Sequence, residues 1–327
     1  MHVFATPPLS ISEAHLLNIV FTAGYVLPLY LTKYTRLSFS HSAVKAGDGR
    51  LKQPSDRWRD DPAVIRARLT SATISTLAAC YITHSVVSSR WKGEESVSNA
   101  FCINLWDLTS LRLGLIVHWN EPLVYLVTPL LFLGPLYGHF LGSGLPFMSK
   151  WTFKEQVVGK VFSWTGFRNY VVGPISEELV WRSCIIAAYH LAGASNLLMI
   201  FLTPISFGAA HLHHGWETYN KFGRTRQALQ RAIVMTLFQF TYTTLFGFHC
   251  AYLFLRSSSV FPPMIAHTFC NFMGVPQLQE ELKWYPSHRR YIQAMYMGGI
   301  VAYICTMYSW TLADNSFFWF ANQSKAW

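Results

Sequence analysis

Charge is scarce in this chain: only 13% of its 327 residues are Asp, Glu, Lys or Arg, where soluble domains usually carry about a quarter. The six cysteines, Cys80, Cys102, Cys184, Cys250, Cys270 and Cys305, form no CxxC pair and no zinc-finger spacing. A disulfide framework is therefore not expected, and cysteine in apolar stretches acts as a small hydrophobe. No HExxH sequence, internal repeat or low-complexity segment is present. The N-terminus MHVFATPPLSISEAHLLNIVF lacks the basic n-region and cleavage site of a removable signal peptide, so its apolar block is expected to remain as an anchor. The net charge of +10 comes without a basic run or a nucleic-acid motif, which argues against nucleic acid as a partner.

What is present is apolar and aromatic. Hydrophobic residues make up 51% and aromatics 16%, with 12 Trp, 16 Tyr and 24 Phe, and the mean hydropathy is +0.23. The apolar residues come in blocks separated by positive charge, the pattern of a polytopic membrane protein with basic cytoplasmic loops. Nine candidate spans follow: 15–31, 69–88, 122–141, 151–172 (the weakest), 174–191, 196–211, 232–255, 262–275 (short) and 291–312. One or two are expected to be interfacial, giving about eight transmembrane helices. Residues 108–119 read as a short amphipathic helix on the membrane surface. The fold class expected is thus all-α: one polytopic bundle over residues 1–327, enclosing an intramembrane cavity, with 174–275 as its core.

Between the first two blocks, residues 33–68 carry Lys33, Arg36, Lys45, Arg50, Lys52, Arg57, Arg59, Arg66 and Arg68. Positive-inside reasoning assigns this loop to the cytoplasm. Within it, Gly47, Asp48, Gly49 and Pro54 signal turns, and Asp60-Asp61-Pro62 marks a helix start.

Ionisable groups inside apolar helices are candidate functional groups, because their desolvation is costly. Ser176-Glu177-Glu178-Leu179-Val180-Trp181-Arg182 follows Gly173-Pro174 in an apolar block. Ser176 is expected to cap the helix. Glu178 and Arg182 are four apart and can pair. Glu177 points about 100° away, free to act as a base in a cavity. The alternative is a structural ion-pair network. Phe207 and His211 share a face at the end of the sixth block, with Gly208, Ala209 and Ala210 permitting close helix approach. His213 follows His211 at a spacing poorly suited to joint metal ligation. In the short eighth block, His267 and Asn271 project from one face and offer two donors suited to an oxyanion, or simply to another helix.

In this order, Glu177-Glu178 with Arg182, Phe207 with His211, and His267 with Asn271 resemble the EExxxR, FxxxH and HxxxN blocks of the type II CAAX prenyl endopeptidases, the Ras-converting enzymes, within the group that includes bacterial abortive-infection proteins. The flanking run Arg168-Asn169-Tyr170-Val171-Val172-Gly173-Pro174 and the segment Arg59-Asp60-Asp61-Pro62 strengthen the resemblance, which spans residues 55–310. It implies residence in the endoplasmic reticulum membrane with the site open to the cytosol. It also implies removal of the aaX tripeptide from farnesylated or geranylgeranylated CAAX proteins such as Ras-type small GTPases. On that reading Glu177 is the base, His211 orients the water, and His267 and Asn271 hold the oxyanion. Glu178 and Arg182 position the helix or bind substrate, its carboxylate included, and Phe207 supports them. No cofactor is expected. The rivals are a zinc protease using Glu177, His211 and His267, and a non-catalytic prenyl-binding or transport protein.

Overall fold

The structure is a computed structural model that describes residues 6–40, 50–90, 104–117, 120–313 and 316–319. Lys45, Gly47, Asp48 and Gly49 of the basic loop, Cys102, and residues 118–119 of the expected surface helix lie outside the described residues. Among the described residues the regular structure is helical, apart from one isolated antiparallel bridge between Ser38 and Arg57.

Local sequence sets the helix starts. Ser10 and Glu13 form a reciprocal capping box at the head of Ile11–Val26. Pro62 opens Pro62–Arg90, its missing N–H costing nothing in the first turn, and the Asp61 carbonyl accepts the first helical bond from Ile65 at 2.8 Å. Ser195 caps Asn196–Ala210 and Thr225 caps Arg226–Ser257. The later helices are Phe261–Met273 and Arg289–Met307.

Among the described residues, two helical stretches, Ile11–Leu31 and Asn196–Lys221, are long and apolar enough to cross a membrane. A third is added if the pair Pro122–Leu131 and Leu133–Leu141, bent by 72°, counts as one. The bend falls at Phe132, and Pro135 just beyond it lacks the N–H that would carry a helical hydrogen bond back across the break. Pro62–Arg90 and Arg226–Ser257 are longer still, at 29 and 32 residues, but Ser, Thr, Gln and Arg dilute them. They nevertheless turn apolar side chains outward, among them Ile74, Leu77, Ile233, Val234, Leu237 and Leu245, as a lipid-facing surface does.

Three expectations need correction. Residues 151–172 do not form one helix: Lys154–Gly159 is a separate wide turn, and a new helix begins after Ser163, whose side chain accepts the Gly166 N–H. That helix runs unbroken over 164–191, with π-type turns at 168–172 and 179–185. Pro174 therefore sits inside it, and Ser176 is not a cap: its hydroxyl donates back to the Gly173 carbonyl at 3.1 Å. The short helix expected on the membrane surface is Leu105–Arg112, and Leu108, Thr109 and Arg112 are buried. It ends at Gly114, whose φ of +65° suits glycine and whose Cα faces the Phe254 ring.

The 164–191 helix lies at the centre, flanked by Ile11–Val26, Pro62–Arg90, Asn196–Ala210 and Phe261–Met273. Asn196–Ala210 packs closely along Arg226–Ser257 because Gly208 and Gly247 face the partner: a methyl on Gly208 would lie 2.1 Å from Thr244 Oγ1, and one on Gly247 2.6 Å from Pro204 Cβ. Gly208→Val is expected to destabilise the protein by about 1–3 kcal/mol through overpacking. A lowered thermal midpoint in detergent checks this; an unchanged midpoint contradicts the close packing.

Candidate active site

The candidate site is built on the central helix. Glu178 is fully buried and Arg182 is 1% exposed, with Arg182 Nε 3.0 Å from Glu178 Oε2. The Arg182 guanidinium lies over the Phe207 ring at 4.4 Å from its centroid, which further compensates the cation. The π turn at 179–185 begins immediately after Glu178, and such turns shift side-chain register at functional positions.

His267 arrives from Phe261–Met273. Its Nδ1–H donates to Glu178 Oε1 at 2.7 Å. Its other nitrogen, Nε2, faces Glu177 Oε2 at 3.8 Å. One imidazole thus lies between two adjacent carboxylates, with the first fixing its orientation toward the second. Glu177 lies on the wall of a cavity of about 400 Å³ that His211, His267 and Asn271 also line; Glu178 and Arg182 lie behind the wall.

His211 stands one residue beyond Asn196–Ala210. Its Nδ1–H donates to the Phe207 carbonyl at 2.8 Å, which leaves Nε2 as an acceptor. Phe207, 1% exposed, joins the parts: its ring meets Trp181, His211 and His267 edge-on, at 5.3, 4.9 and 6.2 Å between centroids. Phe246 closes the other side of His267 at 5.2 Å.

Asn271 Nδ2 donates to the Asn169 carbonyl at 2.8 Å, and Thr268 Oγ1 donates to the Tyr170 carbonyl at 3.1 Å. Both acceptors belong to the π turn at 168–172. These two bonds dock the helix that carries His267 against the helix that carries Glu177. The Asn271 amide has a second N–H for the cavity.

All seven expected residues thus gather at one place. Arg182, expected to position the helix or bind substrate, is buried behind the cavity wall and pairs with Glu178. No group of three or more His, Cys, Asp or Glu among the described residues has the arrangement of a metal site. The sequence reading overlooked Tyr25, whose hydroxyl is 2.8 Å from Ser176 Oγ and whose ring packs edge-on against Trp181 at 5.0 Å. It also overlooked Asn169 as the partner of Asn271. A tyrosine in an apolar helix carries no sequence signal that it turns inward.

Residues 159–273 match the family described as Type II CAAX prenyl endopeptidase Rce1-like. The chain is 32% identical to CAAX prenyl protease 2 of Homo sapiens, over 75% of this chain and 71% of that one. It is 30% identical to CAAX prenyl protease 2 of Caenorhabditis elegans, over 77% and 87%. With Probable CAAX prenyl protease 2 of Schizosaccharomyces pombe the identity is 29%, over 92% and 94%. No solved structure matches the chain. The class defined by fold and comparison is a helical, membrane-associated protease. Within that class, the chain belongs to the type II CAAX prenyl endopeptidases.

Because Phe207 supports Trp181, Arg182, His211 and His267 together, Phe207→Ala is expected to cost about 3–5 kcal/mol of stability. A thermal midpoint in detergent equal to that of wild type contradicts this supporting role.

Proposed function

We propose that the protein removes the C-terminal aaX tripeptide from farnesylated or geranylgeranylated CAAX proteins, Ras-type small GTPases among them. The observation that carries this reading is the position of Glu177 on the cavity wall, opposite an imidazole whose far nitrogen is held by Glu178.

Glu177 takes a proton from water as its oxygen attacks the carbonyl of the prenylated cysteine. His211, presenting an unprotonated Nε2, accepts a hydrogen bond from the same water and aims it. The tetrahedral oxyanion is held by the second Asn271 N–H and by His267 when its Nε2 carries a proton. The cysteine C–N bond then breaks. The proton held by Glu177 passes to the leaving nitrogen, giving the free tripeptide and a prenylcysteine carboxylate. The surroundings support this arrangement: Arg182 compensates Glu178, and the His267 imidazole lies between Glu178 and Glu177.

The chemistry proceeds without a metal on this proposal. A zinc reading deserves a test, because both imidazoles anchor Nδ1 and leave Nε2 toward the cavity, as zinc-bound histidines do. Glu177, His211 and His267 would be its ligands.

The protein is proposed to lie in the endoplasmic reticulum membrane as one polytopic bundle of about eight spans. The outward apolar faces of Pro62–Arg90, Arg226–Ser257 and Arg289–Met307 support spans beyond the two or three that length and hydropathy alone select. The basic segment 50–68 bears Arg59 and Arg68 at the cavity. A cytosolic mouth there gives access to a cytosolic protein whose lipid has partitioned into the bilayer, at about 0.8 kcal/mol per buried CH₂.

Membranes carrying the wild-type protein are expected to release aaX from a farnesylated CAAX peptide, read by mass spectrometry, and Glu177→Gln to lower the rate by about 10²–10⁴-fold. Equal release by both moves the base elsewhere; no release by either favours a binding or transport protein. Rigorous chelation is expected to leave the rate unchanged. Loss restored only by zinc makes His211 and His267 ligands instead.

A further inference from the structure

A cation faces the cavity that the proposed reaction does not use. Arg59 lines the wall with Glu177, is half-buried, and has no hydrogen bond or ion pair to its guanidinium among the described residues. Its charge reaches Glu177, His211, Arg68 and Arg168.

The neighbouring cations are otherwise engaged. Arg182 pairs with Glu178 behind the wall. Arg168 pairs with Asp60 at 3.0 Å. Arg68 donates to the Thr35 carbonyl at 2.9 Å and is faced by Glu217.

The backbone at Arg59 is fixed on both sides. Its own carbonyl accepts from Arg168 Nη1 at 3.1 Å. Asp61 accepts the Trp58 N–H at 2.8 Å and pairs with Lys52. A guanidinium held on a hydrogen-bonded lead-in at the cavity wall, with its donors unspent among the described residues, suits a carboxylate, which it can grip bidentately.

The substrate class carries one such group at a fixed place. Three residues separate the scissile carbonyl from the free terminus, and extended they span about 10 Å. On the CAAX reading above, we propose that Arg59 binds the α-carboxylate of the substrate's last residue. It thereby sets the cut three residues from the end and makes the enzyme selective for a free C-terminus. Arg68, from Pro62–Arg90, lines the same cavity.

Two farnesylated CAAX peptides, one ending in a free acid and one in an amide, test this with full-length protein in its membranes. The acid-to-amide ratio of kcat/KM is read within each preparation, so protein level cancels. Wild type is expected to favour the acid by about 10–100-fold, the loss that follows when a charge-assisted hydrogen bond goes unmade. Arg59→Gln is expected to bring the ratio near one, and Arg59→Lys to keep most of it. A wild-type ratio near one overturns the inference and leaves the protease intact. So does Arg59→Gln slowing both peptides equally, which makes Arg59 a counter-charge for Glu177. Cleavage of neither peptide by wild type overturns the CAAX reading itself and this inference with it.

Discussion

The arrangement depends on partnering both oxygens of the Glu178 carboxyl group where no water reaches it. A carboxylate with no exposed surface is tolerated only when opposite charge and hydrogen bonds replace its hydration. Arg182 supplies the charge on one oxygen and His267 a donor on the other. These two requirements fix the geometry. Arg182 must reach back within its own helix, and Phe261–Met273 must lie close enough for His267 to arrive. Once it does, its second nitrogen faces Glu177 and the cavity. The residue that closes the buried charge balance also orients the site.

The surrounding helices serve that requirement. Two π turns bracket Glu177 and Glu178 on the central helix. The first turns Asn169 and Tyr170 carbonyls into acceptors for Asn271 and Thr268, and the second places Arg182 over Phe207. Gly208 and Gly247 let the helix that ends at His211 lie close against Arg226–Ser257. Many side chains turned outward along these helices are large and apolar, while the polar residues of the site meet in the interior.

Much of this was legible in the residues. The four-residue spacings in Glu178/Arg182, Phe207/His211 and His267/Asn271 identified shared faces, and Asp61-Pro62 marked a helix start that the structure keeps. The Ser163 cap and the π turns were not legible, because they arise where the central helix accommodates its neighbours rather than from local propensity. Gly173-Pro174 looked like a boundary, yet the missing N–H of proline falls in a wide turn that tolerates it. The burial of Arg112 in Leu105–Arg112 was hidden for a similar reason: its guanidinium finds partners in distant segments, His190 at 2.6 Å among them. Arg59 read as one basic loop residue among nine, since only tertiary structure brings it to the cavity wall.

The central claim is that Glu178 both balances Arg182 and orients His267. Replacing the pair together, in Glu178→Leu/Arg182→Met, tests it most directly, because buried ion pairs are often exchanged for apolar residues without loss of folding. Thermal stability and aaX release would be measured on the same preparation, beside each single variant. The account predicts that the double variant recovers stability lost in the singles and remains inactive, because His267 has lost its anchor. Recovery of both stability and activity would contradict it.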